Sequence, residues 1–388
     1  MFYTEEFMKK ALLFLMLITV TETVWSQDSL KFDKGKLLDY YQAQQYAEAS
    51  DYLKGIYKED TENPKELSEL GYAFLMAGKL PEAEKNYLQL YAKDSASIPV
   101  LYSLADINIR RGNNSQAKKY YLQALKADST NYITYKQLSK LTKADLDINR
   151  IEYLRKASDL NAEDAEVAFD LAELYFKMNY MDRAAAVIAP ALKADTSNLQ
   201  LLKMSMPINT AEKKYSEAIE TGQKLLSFGD SSTFVLNNLG KAYYLTLDYK
   251  NALKYFLLIK ENMNDREALY YNIARSYRGV RDYSNAVVYL QKAINEGVSP
   301  LAASYYGLLG DSFENLSKNE DANKAYKKGL DFENDGSLLY NIALVYETKL
   351  NDKKNAISYY EQYLKTIDKA KQPKLVKFIN TKIEDLKR

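Results

Sequence analysis

An alanine returns along this chain at Ala49, Ala83, Ala117, Ala184, Ala218, Ala252, Ala286, Ala322 and Ala356, and no other sequence feature constrains the fold as strongly. The steps are 34, 34, 67, 34, 34, 34, 36 and 34 residues, the 67 being two repeats with one marker skipped. A second ladder of small residues runs about twelve positions upstream: Gly71, Ala105, Ser139, Ala172, Gly240, Ala274, Gly310 and Ala343. Two ladders sharing one period indicate a repeat architecture.

Each unit reads as two helices. Tyr270, Ile273, Ala274 and Tyr277 fall at helical spacing, Arg281-Asp282-Tyr283 interrupts, and Ala286, Tyr289, Leu290 and Ala293 resume it. Each helix therefore has one apolar face. The small residues let two backbones approach where the helices cross, and large neighbours fill the grooves around them. One such hairpin cannot bury its own face, so the period has to continue. With only 14 Gly and 7 Pro in 388 residues, the chain lacks the turn-formers of an all-β sandwich or barrel.

The run Leu236-Asn237-Asn238-Leu239-Gly240-Lys241-Ala242-Tyr243, followed by Asp248-Tyr249-Lys250-Asn251-Ala252-Leu253-Lys254-Tyr255-Phe256, resembles the tetratricopeptide repeat family. The resemblance implies an all-α fold, a right-handed α–α superhelix of about ten helix-turn-helix repeats with a C-terminal cap helix. Units are expected to start near Leu30, Pro64, Ile98, Tyr132, Ala165, Leu199, Thr233, Glu267, Ala303 and Gly336. The Pro that usually closes a repeat is mostly replaced by Asp94-Ser95, Asp128-Ser129 and Asp195-Thr196, which we read as helix N-caps.

Unit six departs most from the pattern. Met206 occupies its small-residue slot and Pro207 follows, with Pro190 not far upstream. Two readings stay open: a local kink tolerated by packing, or a bend dividing the solenoid. The second gives an N-terminal stack over 27–198, an irregular repeat over 199–232, a C-terminal stack over 233–369 and a basic helix over 370–388. In that last segment Leu375, Val376, Phe378, Ile379, Ile383 and Leu386 form an apolar face suited to capping the final repeat. Seven basic residues between 369 and 388 face only Glu384 and Asp385, so contact with an anionic membrane is the alternative.

Lys9 and Lys10, the apolar run Ala11–Val20, and Val24-Trp25-Ser26 have the layout of a secretory signal peptide over 1–26, cleaved before Gln27. This predicts export to the periplasm or outer envelope of a Gram-negative bacterium. An uncleaved anchor is the competing reading, and translation from Met8 would give a more usual leader. Trp25 is the single Trp, so the mature chain would have none.

With no His and no Cys, imidazole bases, thiol nucleophiles and nearly every zinc-enzyme constellation are excluded. The 53 Lys plus Arg balance 52 Asp plus Glu, so no net field draws the chain onto nucleic acid. No glycine-rich phosphate loop is present, and Asp145-x-Asp147-x-Asn149 imitates a calcium loop only at its start, with Arg150 and Lys156 where Gly and Glu belong. Neither cofactor, metal nor enzymatic activity is expected.

Many of the 35 Tyr fall in packing slots, among them Tyr87, Tyr121, Tyr175, Tyr243, Tyr277, Tyr326, Tyr346 and Tyr360. The resemblance turns Tyr72, Tyr102, Tyr244, Tyr271 and Tyr340 toward a concave groove. Lys241, Tyr244, Tyr271, Arg275 and Arg278 alternate with core positions, so with Tyr102 they are the candidate binding residues. Three cations beside two aromatics would suit an acidic, extended peptide. The family's carboxylate clamp is not reproduced, which counts against a receptor for chaperone C-terminal tails. The expected role is a protein-binding scaffold. A structural part of an exopolysaccharide secretion or glycan-handling apparatus, with Tyr stacking on sugars, is the alternative.

Overall fold

The computed structural model describes residues 32–142, 147–259, 266–297, 300–333 and 336–388. Among them are 21 α-helices and no strand. Ten helix pairs and a final single helix account for all of them. The first helices of the pairs begin at Lys34, Pro64, Ile98, Tyr132, Ala165, Leu199, Thr233, Arg266, Ala302 and Gly336. Seven of these match the starts read from the sequence. The signal-peptide segment 1–26 and Asp145 lie outside the described residues.

The helices gather into two compact units, one ending at Asn161 and one beginning at Ala162. The first holds α1 (Lys34–Gln42), α2 (Tyr46–Ile56), α3 (Pro64–Met76), α4 (Leu80–Lys93), α5 (Ile98–Arg110), α6 (Asn114–Ala127), α7 (Tyr132–Lys140) and α8 (Ile148–Leu160). The second begins with α9 (Ala165–Lys177), α10 (Met181–Ala194), α11 (Leu199–Ala211), α12 (Tyr215–Ser227), α13 (Thr233–Leu245) and α14 (Tyr249–Leu257). It continues with α15 (Arg266–Gly279), α16 (Tyr283–Asn295), α17 (Ala302–Asn315), α18 (Asn319–Gly329), α19 (Gly336–Thr348), α20 (Lys353–Thr366) and α21 (Pro373–Lys387). Within each unit the two helices of a hairpin pack together, and each second helix packs on the next first helix.

Both ladders are buried. All nine marker alanines are 0 % exposed, because each sits where two helices of a hairpin cross. The residue four positions on fills the space opposite the small slot: Tyr87 against Gly71, Phe256 against Gly240, Tyr326 against Gly310. A Cβ added at Gly240 would lie 2.5 Å from Phe256 Cε1, so the ring depends on that missing atom.

The hairpin turns of the nine pairs whose turns lie among the described residues share one conformation. Gln44, Gly78, Gly112, Asn179, Lys213, Leu247, Arg281, Ser317 and Asn351 all have positive φ, and each is followed by an N–H that reaches back to the last turn of the first helix, as Lys214 N does to Asn209 O at 2.8 Å. This is the Schellman closure, which calls for a left-handed residue. The joints between repeats differ from the expectation. Asp94, Asp128 and Asp195 are C-caps of α4, α6 and α10, and their carboxylates accept the N–H of Ala96, Thr130 and Ser197. The true N-caps are Ser97, Asn131 and Asn198, because the short Asp turn spends two residues redirecting the chain. Asp147 caps α8 through the Asn149 N–H.

Helix α11 continues through Pro207, and α10 through Pro190. Helix α21 covers the last repeat as expected, burying Ile379 and Ile383 against Ala343 and Tyr360. Phe378 departs from the expected apolar face: it is half exposed, with Lys382 Nζ 5.7 Å above its ring. Lys382 in turn bonds both oxygens of Glu347 at 2.8 Å, which fixes the helix to the repeat below.

Candidate functional site

The first helices of a hairpin stack present residues one and four positions after the small slot to the same side. In the second unit this side is an open cleft of about 510 Å³, formed by α13, α15, α17 and α19. Tyr244, Tyr271, Arg275 and Arg278, four of the six residues singled out from the sequence, line it together with Asp311, Ser304, Gly307 and Asn341.

Arg275 is the centre of the arrangement. Its guanidinium carbon lies 4.4 Å from the Tyr244 ring centroid and 5.4 Å from that of Tyr271. Two rings from successive repeats thus hold one flat cation, a geometry a guanidinium favours through its planarity and weak hydration. Tyr244 rests on Tyr249 and Tyr271 on Tyr305, at 5.4 and 4.6 Å between ring centroids, so neither ring can swing away freely. No carboxylate pairs with Arg275 among the described residues.

Arg278 corrects the expectation of a third free cation. Its guanidinium forms an ion pair with Asp311 of the next first helix, both groups being partly exposed. Asp311 occupies in α17 the slot that Arg275 occupies in α15, one after the small residue, and it was missed from the sequence. Its charge offsets Arg278, whereas Arg275 has no neutralising carboxylate among the described residues. Lys241, in that same slot one repeat earlier, is exposed and does not line the cleft.

Tyr102 belongs to the first unit. It is half buried, its hydroxyl hydrogen-bonds Thr134 Oγ1 at 2.6 Å, and its ring meets Tyr121 edge-on at 5.4 Å. Burial pushes its phenol above the ordinary range. These contacts commit Tyr102 to packing. Tyr340, expected at the groove, packs on Tyr360 and Tyr363, and Asn238 returns its amide to Phe234 O at 2.9 Å. Tyr72 stays exposed, with Tyr41 edge-on to it.

Among the described residues no group of three or more Asp, Glu, His or Cys side chains is placed to hold a metal ion. No described helix is long and apolar enough to cross a membrane.

Profiles described as tetratricopeptide repeat match residues 35–98, 98–131, 271–337 and 336–367, together half of the chain. The chain belongs to the tetratricopeptide repeat family. The BBSome complex member BBS4 from Bos taurus is 22% identical over 248 residues, covering 63% of this chain and 47% of that protein. The chain therefore spans about half the length of that relative. Among solved structures, yeast Tom70 is 14% identical, covering 91% of this chain and 94% of that one, with a TM-score of 0.39. The Pseudomonas aeruginosa pilF structure is 19% identical, covering 52% and 90%, with a TM-score of 0.42. Tetratricopeptide repeat proteins in general mediate protein–protein interactions and are in general not enzymes.

Proposed function

We propose that this chain is a non-catalytic scaffold of the bacterial cell envelope that holds an acidic, extended peptide segment of a partner protein in the cleft of α13, α15, α17 and α19. One observation carries the reading: Arg275 is oriented by Tyr244 and Tyr271, opens onto the cleft, and has no carboxylate partner among the described residues. A guanidinium fixed in this way takes a carboxylate in a fork at little further entropic cost. The glycan reading is weaker on the same geometry, because the two cleft rings a sugar would stack on already carry Arg275.

The test is a binding titration of a labelled Glu-rich decapeptide followed by fluorescence anisotropy. Arg275→Glu is expected to weaken binding by about tenfold or more, since a charge-assisted bond is replaced by repulsion. Lys254→Glu, on the exposed side of α14, serves as the control and should change little. Binding should also weaken as salt rises. Equal affinity for both folded variants rules out the cleft.

The envelope location rests on the sequence pattern of residues 1–26. An intact mass beginning at Gln27, without Trp fluorescence, is the expected outcome for the native protein. Recovery of Trp-containing full-length chain from the cytoplasm overturns it.

A further inference from the structure

In the first unit a groove of about 380 Å³ opens between α1, α3 and α5, and Tyr41, Glu69, Tyr72, Tyr87 and Pro99 line it. Its volume is in the range of ligand sites. Tyr41 and Tyr72 are 31 residues apart, as are Tyr244 and Arg275 in the second unit. Tyr72 stands one residue after Gly71, as Arg275 stands one after Ala274, so the two pairs hold equivalent places in their repeats. In the second unit the ring meets a cation of the chain. Here it meets another ring, at 5.4 Å between centroids and 85° between planes. Tyr72 is 42 % exposed. Lys36 lies over Tyr40 and Tyr52, and Lys65 over Phe32, but among the described residues no Lys or Arg stands over Tyr41, Tyr72 or Tyr87.

Glu69 is the only charged residue on the wall. Tyr57 donates its hydroxyl to Glu69 Oε2. The other oxygen, Oε1, has neither a hydrogen-bond donor nor a cation as partner among the described residues, and it is not sealed from solvent. Burial, with the charge of Glu69 adding to it, pushes the Tyr41 phenol up to about 12. The Tyr41 hydroxyl is itself sealed, so only the ring is available to a ligand. Ser103 donates to Pro99 O at 3.0 Å, and Ser68 is exposed at the edge of the groove.

These surroundings select the charge of an occupant. An anion is repelled by Glu69, and a neutral group would strip water from that carboxylate without replacing it. A cation offsets the charge and is attracted by ring faces. A guanidinium is best taken by two carboxylate oxygens in a fork, and one of these is already engaged. An ammonium is a point charge that a single oxygen serves. Its alkyl stem finds apolar surface on Tyr41 and Pro99, with Val100 closing the wall.

We propose that this groove seats a lysine side chain from a basic segment of a partner protein, the ammonium donating to Glu69 Oε1 beside the Tyr72 ring. The site is opposite in sign to the Arg275 cleft and does not depend on it.

The experiment titrates an acetylated, labelled decapeptide of alternating Lys and Ser into the full chain and follows its anisotropy, with acetyllysine and Arg versions in parallel. Saturable binding of the Lys peptide and none of the acetyllysine peptide is expected. Glu69→Gln, which keeps an acceptor for Tyr57, should weaken binding by about tenfold, since a charge-assisted bond becomes a neutral one. Glu48→Gln removes the same charge from an exposed position of α2 and should change little. Tyr72→Ala should weaken binding by about threefold and Tyr72→Phe should not, because the ring face rather than the hydroxyl holds the cation. The Glu-rich decapeptide should bind Glu69→Gln and wild type alike, so this site and the Arg275 cleft stand or fail separately. Equal losses in Glu69→Gln and Glu48→Gln, tighter binding of the Arg peptide, or displacement of the Lys peptide by cellobiose overturns the proposal.

Discussion

Repeats six and seven are consecutive and equal in period, and they fill the same helix crossing in opposite ways. In repeat seven the first helix supplies the small residue, Gly240, and the second supplies the ring, Phe256, which is 1 % exposed. In repeat six the first helix supplies the bulk, Met206 at 0 % exposed, and the second supplies the gap, Gly222. A Cβ at Gly222 would lie 2.6 Å from Met206 Cε and 2.5 Å from Leu239 Cδ2. The crossing thus fixes the total volume and leaves open which helix provides it, as close packing requires. The same exchange explains how α11 carries Met206 in the small-residue slot and still packs against α12.

The largest effect should come from reversing this exchange. Gly222→Phe alone overpacks the crossing and should cost about 1–3 kcal/mol. Met206→Gly alone leaves a cavity and places Gly within a helix, for about 2–5 kcal/mol. Together they recreate the arrangement of repeat seven, so the pair should recover at least about 1 kcal/mol relative to the sum. Urea unfolding of the four proteins measures this coupling. Strict additivity would mean that the two side chains do not share one space.

The sequence made much of this legible, for physical reasons that differ by element. Helix starts were readable because the period repeats the same apolar spacing ten times. Gly222 was readable in principle, since it stands four residues after Ala218 where Tyr87, Tyr121 and Phe256 stand after their alanines. The turns were hidden because, of the nine left-handed residues in the described hairpin turns, seven are not glycine. Their position follows from the period, but no residue preference marks them. In the cleft, helix alternation brought out Tyr244, Tyr271, Arg275 and Arg278. Asp311 was missed because its slot follows a 36-residue step, and its charge, opposite to that of Lys241 and Arg275, gives the slot no common chemistry. Asn323, in α18, could not be found by motif: what sets it apart is a buried amide with no hydrogen-bond partner among the described residues, and only packing reveals that.

The turns give a smaller effect that should be the same in both repeats. Lys213 and Leu247 hold φ of 62 and 64° between their helices. A side chain in that region costs about 1–2 kcal/mol relative to its preferred conformations, while Gly loses more entropy on folding. Lys213→Gly and Leu247→Gly should therefore each stabilise the chain by up to about 1 kcal/mol, read from the urea midpoint at constant slope. Equal gains would confine the difference between the repeats to their crossings. A loss at Leu247 alone would show that its side chain, although 69 % exposed, contributes packing that Lys213 does not.

The smallest effect lies at the joint between the two repeats. Asp230, in the turn from α12 to α13, pairs with Lys203 Nζ at 2.6 Å and accepts the Ser232 N–H at 3.1 Å. The bond from Lys203, followed by that from Ser232, holds its carboxyl below the usual range against an opposing effect of burial. A lowered folded value means that the folded state releases the proton more readily than the unfolded chain. The stabilisation is therefore complete above the unfolded value of about 4 and disappears as pH falls through the lower folded value. Because the Lys203 side chain is 39 % exposed, solvent screens the pair to about 1 kcal/mol or less. Comparing urea midpoints at neutral and acid pH in the wild type and Lys203→Met isolates it from the other carboxylates. The variant should lose less stability on acidification, since its Asp230 starts nearer the ordinary range. Parallel pH profiles would mean that the pair adds nothing to the joint, leaving apolar burial between α12 and α13 to hold repeat six against repeat seven.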